Sequence, residues 1–91
     1  MRQLARLMSE IDQKIRDVID AHGRMPVPAS GLSATEDLFE SGLTSHASVN
    51  VMLALEDEFE IEFPDSLLNK ATFETISAIS AALISLGVPD S

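Results

Sequence analysis

The stretch Asp37-Leu38-Phe39-Glu40-Ser41-Gly42-Leu43-Thr44-Ser45-His46-Ala47-Ser48-Val49-Asn50-Val51-Met52-Leu53-Ala54-Leu55-Glu56-Asp57-Glu58-Phe59 holds a turn, a stop and a helix, in that order. Glu36 to Glu40 can make a short turn expected to bury Leu38 and Phe39, with Gly42 ending it. Thr44, Ser45 and Ser48 each offer a side-chain oxygen to the free N–H groups of a helix start, so a helix begins here and runs to about Glu60. That helix has two apolar sides. Met52, Leu55 and Phe59, flanked by Val51, form the stripe expected to face a core. Val49 and Leu53 lie on another side, bordered by Asn50, Glu56, Asp57 and Glu60. An apolar pair rimmed by acids is either a docking surface or a patch covered by a neighbouring loop, and these residues leave both open.

Toward the N-terminus, Leu4, Leu7, Met8, Ile11, Ile15, Val18 and Ile19 recur at three- and four-residue steps, which predicts an amphipathic helix over about residues 3–22. Gly23 is its natural stop, free to take the left-handed conformation. Arg2 and Arg6 sit at the end where the helix dipole disfavours cations, which predicts a fraying first turn. Residues 24–35, with Pro26, Pro28 and Gly31, form a long loop. Toward the C-terminus, Ile61 to Phe63 reads as an extended link into Pro64, and Asp65 to Lys70 as a one- or two-turn helix with Leu67 and Leu68 inward. Thr72 is expected to cap a last helix with Glu74 in its first turn. Phe73, Ile76, Ile79, Leu83 and Ile84 supply the apolar positions of that helix, and Gly87 with Pro89 ends it. The fold class is all-α: three main helices plus one short helix, in a single domain over residues 1–91 with its core at about 3–86.

Composition agrees. The chain's 91 residues suffice for one modest core. Hydrophobic residues make up 45% of it, too many for a disordered chain. Four Phe, no Trp and no Tyr leave the core to aliphatic side chains, which suits packed helices. The absence of cysteine excludes disulfides, thiolate metal sites and a cysteine nucleophile, and is compatible with a reducing compartment. Arg2, Arg6 and Glu10 interrupt the start, so no signal-peptide core is present, and the longest apolar run, Val51 to Leu55, is far too short to span a membrane. A cytoplasmic protein is expected.

Charge is unevenly divided. Residues 1–24 carry five basic and four acidic side chains, whereas residues 25–91 carry one basic residue, Lys70, against eleven acids. The balances of +1 and −10 give the net charge of −9. Such a surface repels nucleic-acid phosphates and anionic lipid and favours partners with basic patches. Acidity also simply keeps small domains in solution.

Familiar catalytic patterns are missing: there is no glycine-rich phosphate loop, no G-x-S-x-G and no H-E-x-x-H. His22 and His46 stand alone. Asp57, Glu58, Glu60 and Glu62 lack the spacing of a calcium loop, so no metal site is expected. The carboxylates read as solvated and unsuited to acid–base catalysis. Ser45 stands apart by location, between a loop and a strongly predicted helix. A phosphate esterified there would meet free backbone N–H groups and the positive end of the helix dipole. An ordinary N-cap is the commoner use of such a serine, and local spacing does not decide between them.

The wider context does. Asp37 to Ser45, then Val49 to Phe59, then Ile61-Glu62-Phe63-Pro64-Asp65 together resemble the acyl carrier protein family over about residues 36–86. The resemblance implies an acyl-carrier-protein-like bundle and a 4′-phosphopantetheine arm on Ser45, moved there from coenzyme A by a phosphopantetheinyl transferase. It implies a carrier rather than an enzyme. The family's usual Asp-Ser-Leu here reads Thr44-Ser45-His46, which removes a carboxylate that often meets a basic partner and a small apolar contact. Gly42 to Ser45, Ala47-Ser48-Val49 and Phe63 to Asn69 look most like the aminoacyl carrier proteins, loaded by seryl-tRNA-synthetase-like amino acid:carrier protein ligases. The implied cargo is glycine or alanine, held as a thioester. Thr44, His46, Val49, Asn50, Leu53, Glu56, Asp57 and Glu60 are then the expected contacts for the transferase, for the ligase or another acyl-loading enzyme, and for an acceptor enzyme. A monomer is expected, with no nucleic acid or membrane partner. A fatty-acid or polyketide acyl carrier is the nearest alternative, and an unmodified helical adaptor module the second.

Overall fold

Ile11, Ile15, Val18 and Ile19 fall on one side of a helix at about 3.6 residues per turn. All four are buried in the computed structural model, which describes residues 10–89. They belong to α1, Glu10–His22. Leu4, Leu7 and Met8, with the fraying expected at Arg2 and Arg6, lie outside the described residues. Two further helices follow, α2 over Ser45–Phe59 and α3 over Ile76–Ser85, with three short 3-10 turns at Ala29–Gly31, Asp65–Leu67 and Lys70–Phe73. Among the described residues there is no strand.

α1 packs against both α2 and α3, and α3 rests on the turn Lys70–Phe73. The shared core includes Ile15, Ile19, Leu38, Leu55, Ile79 and Leu83, none of which retains any exposure. Full burial of such a side chain is worth about 1.5–3 kcal/mol, so six of them dominate what holds a small bundle together. Phe63 and Phe73 meet edge to face, their ring centroids 5.3 Å apart, and tie the link after α2 to the segment before α3.

The long loop after α1 is held by a side chain that the apolar stripe conceals. Arg16 is only 5% exposed. Its Nε donates to Asp12 at 2.6 Å and its Nη1 donates to the carbonyls of Ala29 and Leu32, each at 2.6 Å. Asp20 completes the clasp by accepting from the Ala29 N–H at 2.8 Å. Further on, the loop is tied to the start of α3: Leu38 N–H donates to Glu74 O at 2.8 Å and Ser77 N–H to Ala34 O at 2.9 Å.

Several expectations change in the second half. The last helix begins at Ile76 rather than at Phe73, because Thr75 is its cap, accepting from Ala78 N–H at 2.9 Å. Thr72 lies inside the turn Lys70–Phe73, where Asn69 caps by accepting from its N–H at 3.1 Å. Glu74 therefore precedes α3. The single short helix expected at Asp65 to Lys70 is replaced by two 3-10 turns. Leu68 and Ile84, expected inward, are 45% and 41% exposed. Gly23 is not the left-handed residue after α1; Arg24 is, at φ 53°. Gly23 is needed for another reason, since a Cβ there would stand 2.7 Å from Ile19 O. Gly87 does close α3 as expected, with φ 100°, its N–H on Ile84 O and the Val88 N–H on Leu83 O.

Candidate functional site

Three residues could have capped α2, and the structure gives each a different task. Thr44 is extended, at φ −88° and ψ 160°, and its Oγ1 accepts from Ala47 N–H at 3.0 Å. Ser48 turns its hydroxyl back to the carbonyl of Ser45 at 2.6 Å. Ser45 is the first residue of the helix, exposed, and its own hydroxyl bonds to no described residue. With Thr44 as cap, Ser45 is left available for chemistry.

The approach to Ser45 is tied down by hydrogen bonds. Asp37 accepts from the N–H groups of Phe39 and Glu40 at 2.9 and 3.1 Å, and Leu43 N–H returns to Leu38 O at 2.9 Å. Gly42 takes φ 124° with Pro26 pressed against it; a Cβ would fall 2.5 Å from Pro26 Cδ. Only glycine serves there, on both counts. The turn thus sets Ser45 at the positive end of α2, where the first-turn N–H groups not used by Thr44 face solvent. That arrangement fits a phosphate ester on the serine oxygen.

The residues singled out on α2 share one face. At about 3.6 residues per turn, Ser45, His46, Val49, Asn50, Leu53, Glu56 and Asp57 fall within an arc of roughly 140°. Ala47, Val51 and Leu55 point the other way and are buried. Met52 and Phe59, expected in the core, are half-buried at its edges. Val49 and Leu53 are 51% and 52% exposed, so the loop does not cover them. Thr44, His46, Asn50 and Asp57 are exposed as well. Glu56 is different. It is half-buried, and its Oε2 accepts from Phe63 N–H at 2.9 Å, pinning the link that leaves the helix. Glu60 is exposed and closes α2 in the left-handed conformation, at φ 54° and ψ 48°.

Two cavities border the exposed face of α2 at Val49 and Leu53. One of about 430 Å³ is bordered by Ser45, Val49, Met52, Phe39, Lys70 and Phe73. The other, of about 410 Å³, lies beside Asn50 and Leu53 and brings His22 and Arg24 next to that face. Sequence reasoning connected neither His22 and Arg24, nor Phe39 and Lys70, with the site. The first cavity is assembled from segments far apart in the chain, so no local spacing announces it. The lone positive charge of Lys70 among eleven acids was its one visible mark. Among the described residues no group of three or more His, Asp or Glu could hold a metal, and no helix is long and apolar enough to cross a membrane.

Three long helices with an available serine at the start of the second are the architecture of a prosthetic-group carrier. Residues 9–83 match the phosphopantetheine attachment site family. The aminoacyl carrier protein of Agrobacterium fabrum is 45% identical over 65 residues, which cover 71% of this chain and 78% of that one. The D-alanyl carrier protein of Lactobacillus helveticus is 40% identical over 52 residues, covering 56% and 66%. A solved carrier protein from Agrobacterium tumefaciens, in complex with an engineered Bradyrhizobium japonicum glycine:carrier protein ligase and AMP, superposes with a TM-score of 0.79 at 40% identity, covering 80% of this chain and 97% of that chain. The chain belongs to the phosphopantetheine-bearing carriers and, within them, to the aminoacyl carrier proteins.

Proposed function

We propose that Ser45 carries the 4′-phosphopantetheine arm and that the cargo is a small amino acid, glycine or alanine, loaded by an amino acid:carrier protein ligase. The observation that carries this reading is the division of labour at the start of α2: Thr44 caps the helix and leaves Ser45 exposed, its hydroxyl bonded to no described residue. A phosphopantetheinyl transferase would use coenzyme A as donor. The Ser45 oxygen would bond to the pantetheine-side phosphorus as the coenzyme's diphosphate bond breaks, with adenosine 3′,5′-bisphosphate leaving and the hydroxyl proton passing to a base of the transferase. When bound, the arm supplies the thiol that this cysteine-free chain lacks, and holds an acyl group as a thioester on a long tether. The solved complex of a similar carrier with a glycine ligase supports a ligase of that kind as partner. A cytoplasmic setting, where thiols stay reduced, suits this chemistry.

What the folded chain contributes is recognition. Val49 and Leu53 offer about half of their surface at the middle of the exposed face of α2, with His46 and Asn50 beside them and Asp57 and Glu60 toward its end. A partner with an apolar slot and a basic rim fits that face. Exposed ion pairs contribute only about 0–1 kcal/mol each, so the acids act mainly on encounter rate, and the apolar pair on residence. Glu56 already serves the fold through one carboxylate oxygen, which leaves the other for a partner.

Intact-protein mass spectrometry after incubation with coenzyme A and a broad-specificity transferase tests the assignment. The wild type should gain one phosphopantetheine, and Ser45→Ala none, with its helical spectrum unchanged. A gain that persists in Ser45→Ala would refute Ser45 as the site. No gain with several transferases would favour the unmodified adaptor. Offering the holo-protein ATP with glycine or alanine, against acyl donors, then separates an aminoacyl from a fatty-acyl cargo.

A further inference from the structure

Lys70 is the only Lys or Arg between positions 25 and 91, and none of the ten described acids in that span forms an ion pair with it. Its ammonium lies 5.1 Å from the centroid of the Phe39 ring and is in no ion pair with any described residue. Phe39 and Lys70 border the same cavity of about 430 Å³ as Ser45. The placement is enforced by the backbone. Asn69 caps the turn that begins at Lys70, and the Phe73 side chain at the end of that turn is buried against Phe63. The lysine stem is therefore anchored at the cavity's edge, while its flexible end rests on an aromatic face that attracts cations only weakly.

We infer that Lys70 is the counter-ion of the phosphodiester formed at Ser45, drawing the first part of the arm back over this cavity. The inference rests on the reading of Ser45 given above. Esterification adds a negative charge to a region whose balance is already −10. The net negative field of that span disfavours the added charge, and Lys70 is the one charged side chain that borders the same cavity as Ser45 and can compensate it. A lysine suits the task, because three rotatable donors on a flexible stem can follow a phosphate whose oxygens turn. Beyond the phosphate the arm continues with a dimethyl-bearing carbon, and Val49, Met52 and Phe73 give the cavity an apolar wall for it. In the protein without its arm, the ring of Phe39 is where the ammonium waits.

Phosphorus-31 NMR of the full-length holo-protein tests this, with Lys70→Gln and Lys70→Arg alongside and circular dichroism to confirm that each is folded. An exposed pair of this kind corresponds to roughly a two- to five-fold preference for the paired state. The phosphorus of the wild type should relax as a partly immobilised group at about 20 mM salt and lose that restraint at about 500 mM, where the Debye length is short. In Lys70→Gln the restraint should be missing at both, and Lys70→Arg should restore it. The ε-methylene signals of Lys70 should also move when the arm is attached. Coincident phosphorus relaxation in wild type and Lys70→Gln at low salt, or unmoved lysine signals, would overturn the pairing alone. A protein that gains no phosphorus would overturn both this inference and the assignment of Ser45.

Discussion

Replacing Arg16 by methionine should loosen the loop between α1 and α2 without touching Ser45. Methionine keeps much of the apolar stem, so the loss comes from the guanidinium. Its Nη1 serves the carbonyls of Ala29 and Leu32, and its Nε serves Asp12, all at 2.6 Å. Ala29 O also receives the Leu32 N–H at 3.1 Å and stays partnered, whereas Leu32 O loses its donor within a residue that is 7% exposed. The Asp12 side chain is 24% exposed and regains water. Charge-assisted hydrogen bonds contribute about 1.5–3 kcal/mol each, and one partner here re-solvates, so the net destabilisation comes to about 3–5 kcal/mol.

Against a total stability of about 5–15 kcal/mol that is a large fraction. At about 4–8 °C per kcal/mol for a chain of this size, the melting temperature should fall by at least about 12 °C. Urea unfolding followed by circular dichroism gives the free energy. Hydrogen exchange gives the place: the amide of Ala29, held by Asp20, should exchange ahead of the core amides of α2. Arg16→Lys should fall between, since one ammonium cannot hold Asp12 and both carbonyls in the planar fork's geometry. A loss below about 1 kcal/mol for Arg16→Met would refute the clasp, because it would place those bonds in the range of an ordinary surface substitution.

Other perturbations separate fold from recognition. Glu60→Gly should stabilise the protein by up to about 1 kcal/mol, since a non-glycine residue held in the left-handed region costs about that much. The same change should slow association with the loading ligase at low salt, and an unchanged or lowered unfolding midpoint would count against the reading. Joint replacement of Val49 and Leu53 by serine should leave stability within about 0.5 kcal/mol, as both are half exposed, yet weaken ligase binding measurably by calorimetry. Unaltered binding would remove the face of α2 as the docking surface.

The parts of this fold that could be read from the sequence are those whose cause is local. Ile11, Ile15, Val18 and Ile19 specify α1 by spacing alone, and the Thr44–Ser45–Ser48 cluster marks the start of α2. What spacing could not decide was which of several adequate hydroxyls does the capping. Thr72 and Thr75 are equivalent in type, and the choice falls to Thr75 because Asn69 has already taken Thr72 into a turn. Leu68 and Ile84 carry no signal that they stay exposed, since their neighbours come from distant segments. Arg16 did leave a trace: Asp12, Arg16 and Asp20 recur every four residues along the edge of the apolar stripe. Charges so placed beside a buried face are the pattern of a side chain reaching over to hold a loop. Ser45 needed the family context, because a helix-start serine is ordinary until its neighbour is seen to do the capping.

Val49 is where the two proposed surfaces meet. It stands on the exposed face of α2 together with Leu53, but it also borders the cavity shared by Ser45 and Lys70, whereas Leu53 borders the other cavity, beside His22 and Arg24. A partner that covers Val49 therefore closes on the rim of the place where Lys70 would hold the arm, and the arm must leave as the partner docks. The energies allow this. The pair at Lys70 is exposed and worth about 0–1 kcal/mol, while burying the exposed half of Val49 returns about 1 kcal/mol. Retention and release are thus closely balanced. A lone lysine at this rim suits a carrier whose arm must rest between partners and yield to each of them, because an exposed pair holds the arm by no more than a partner's contact with Val49 returns.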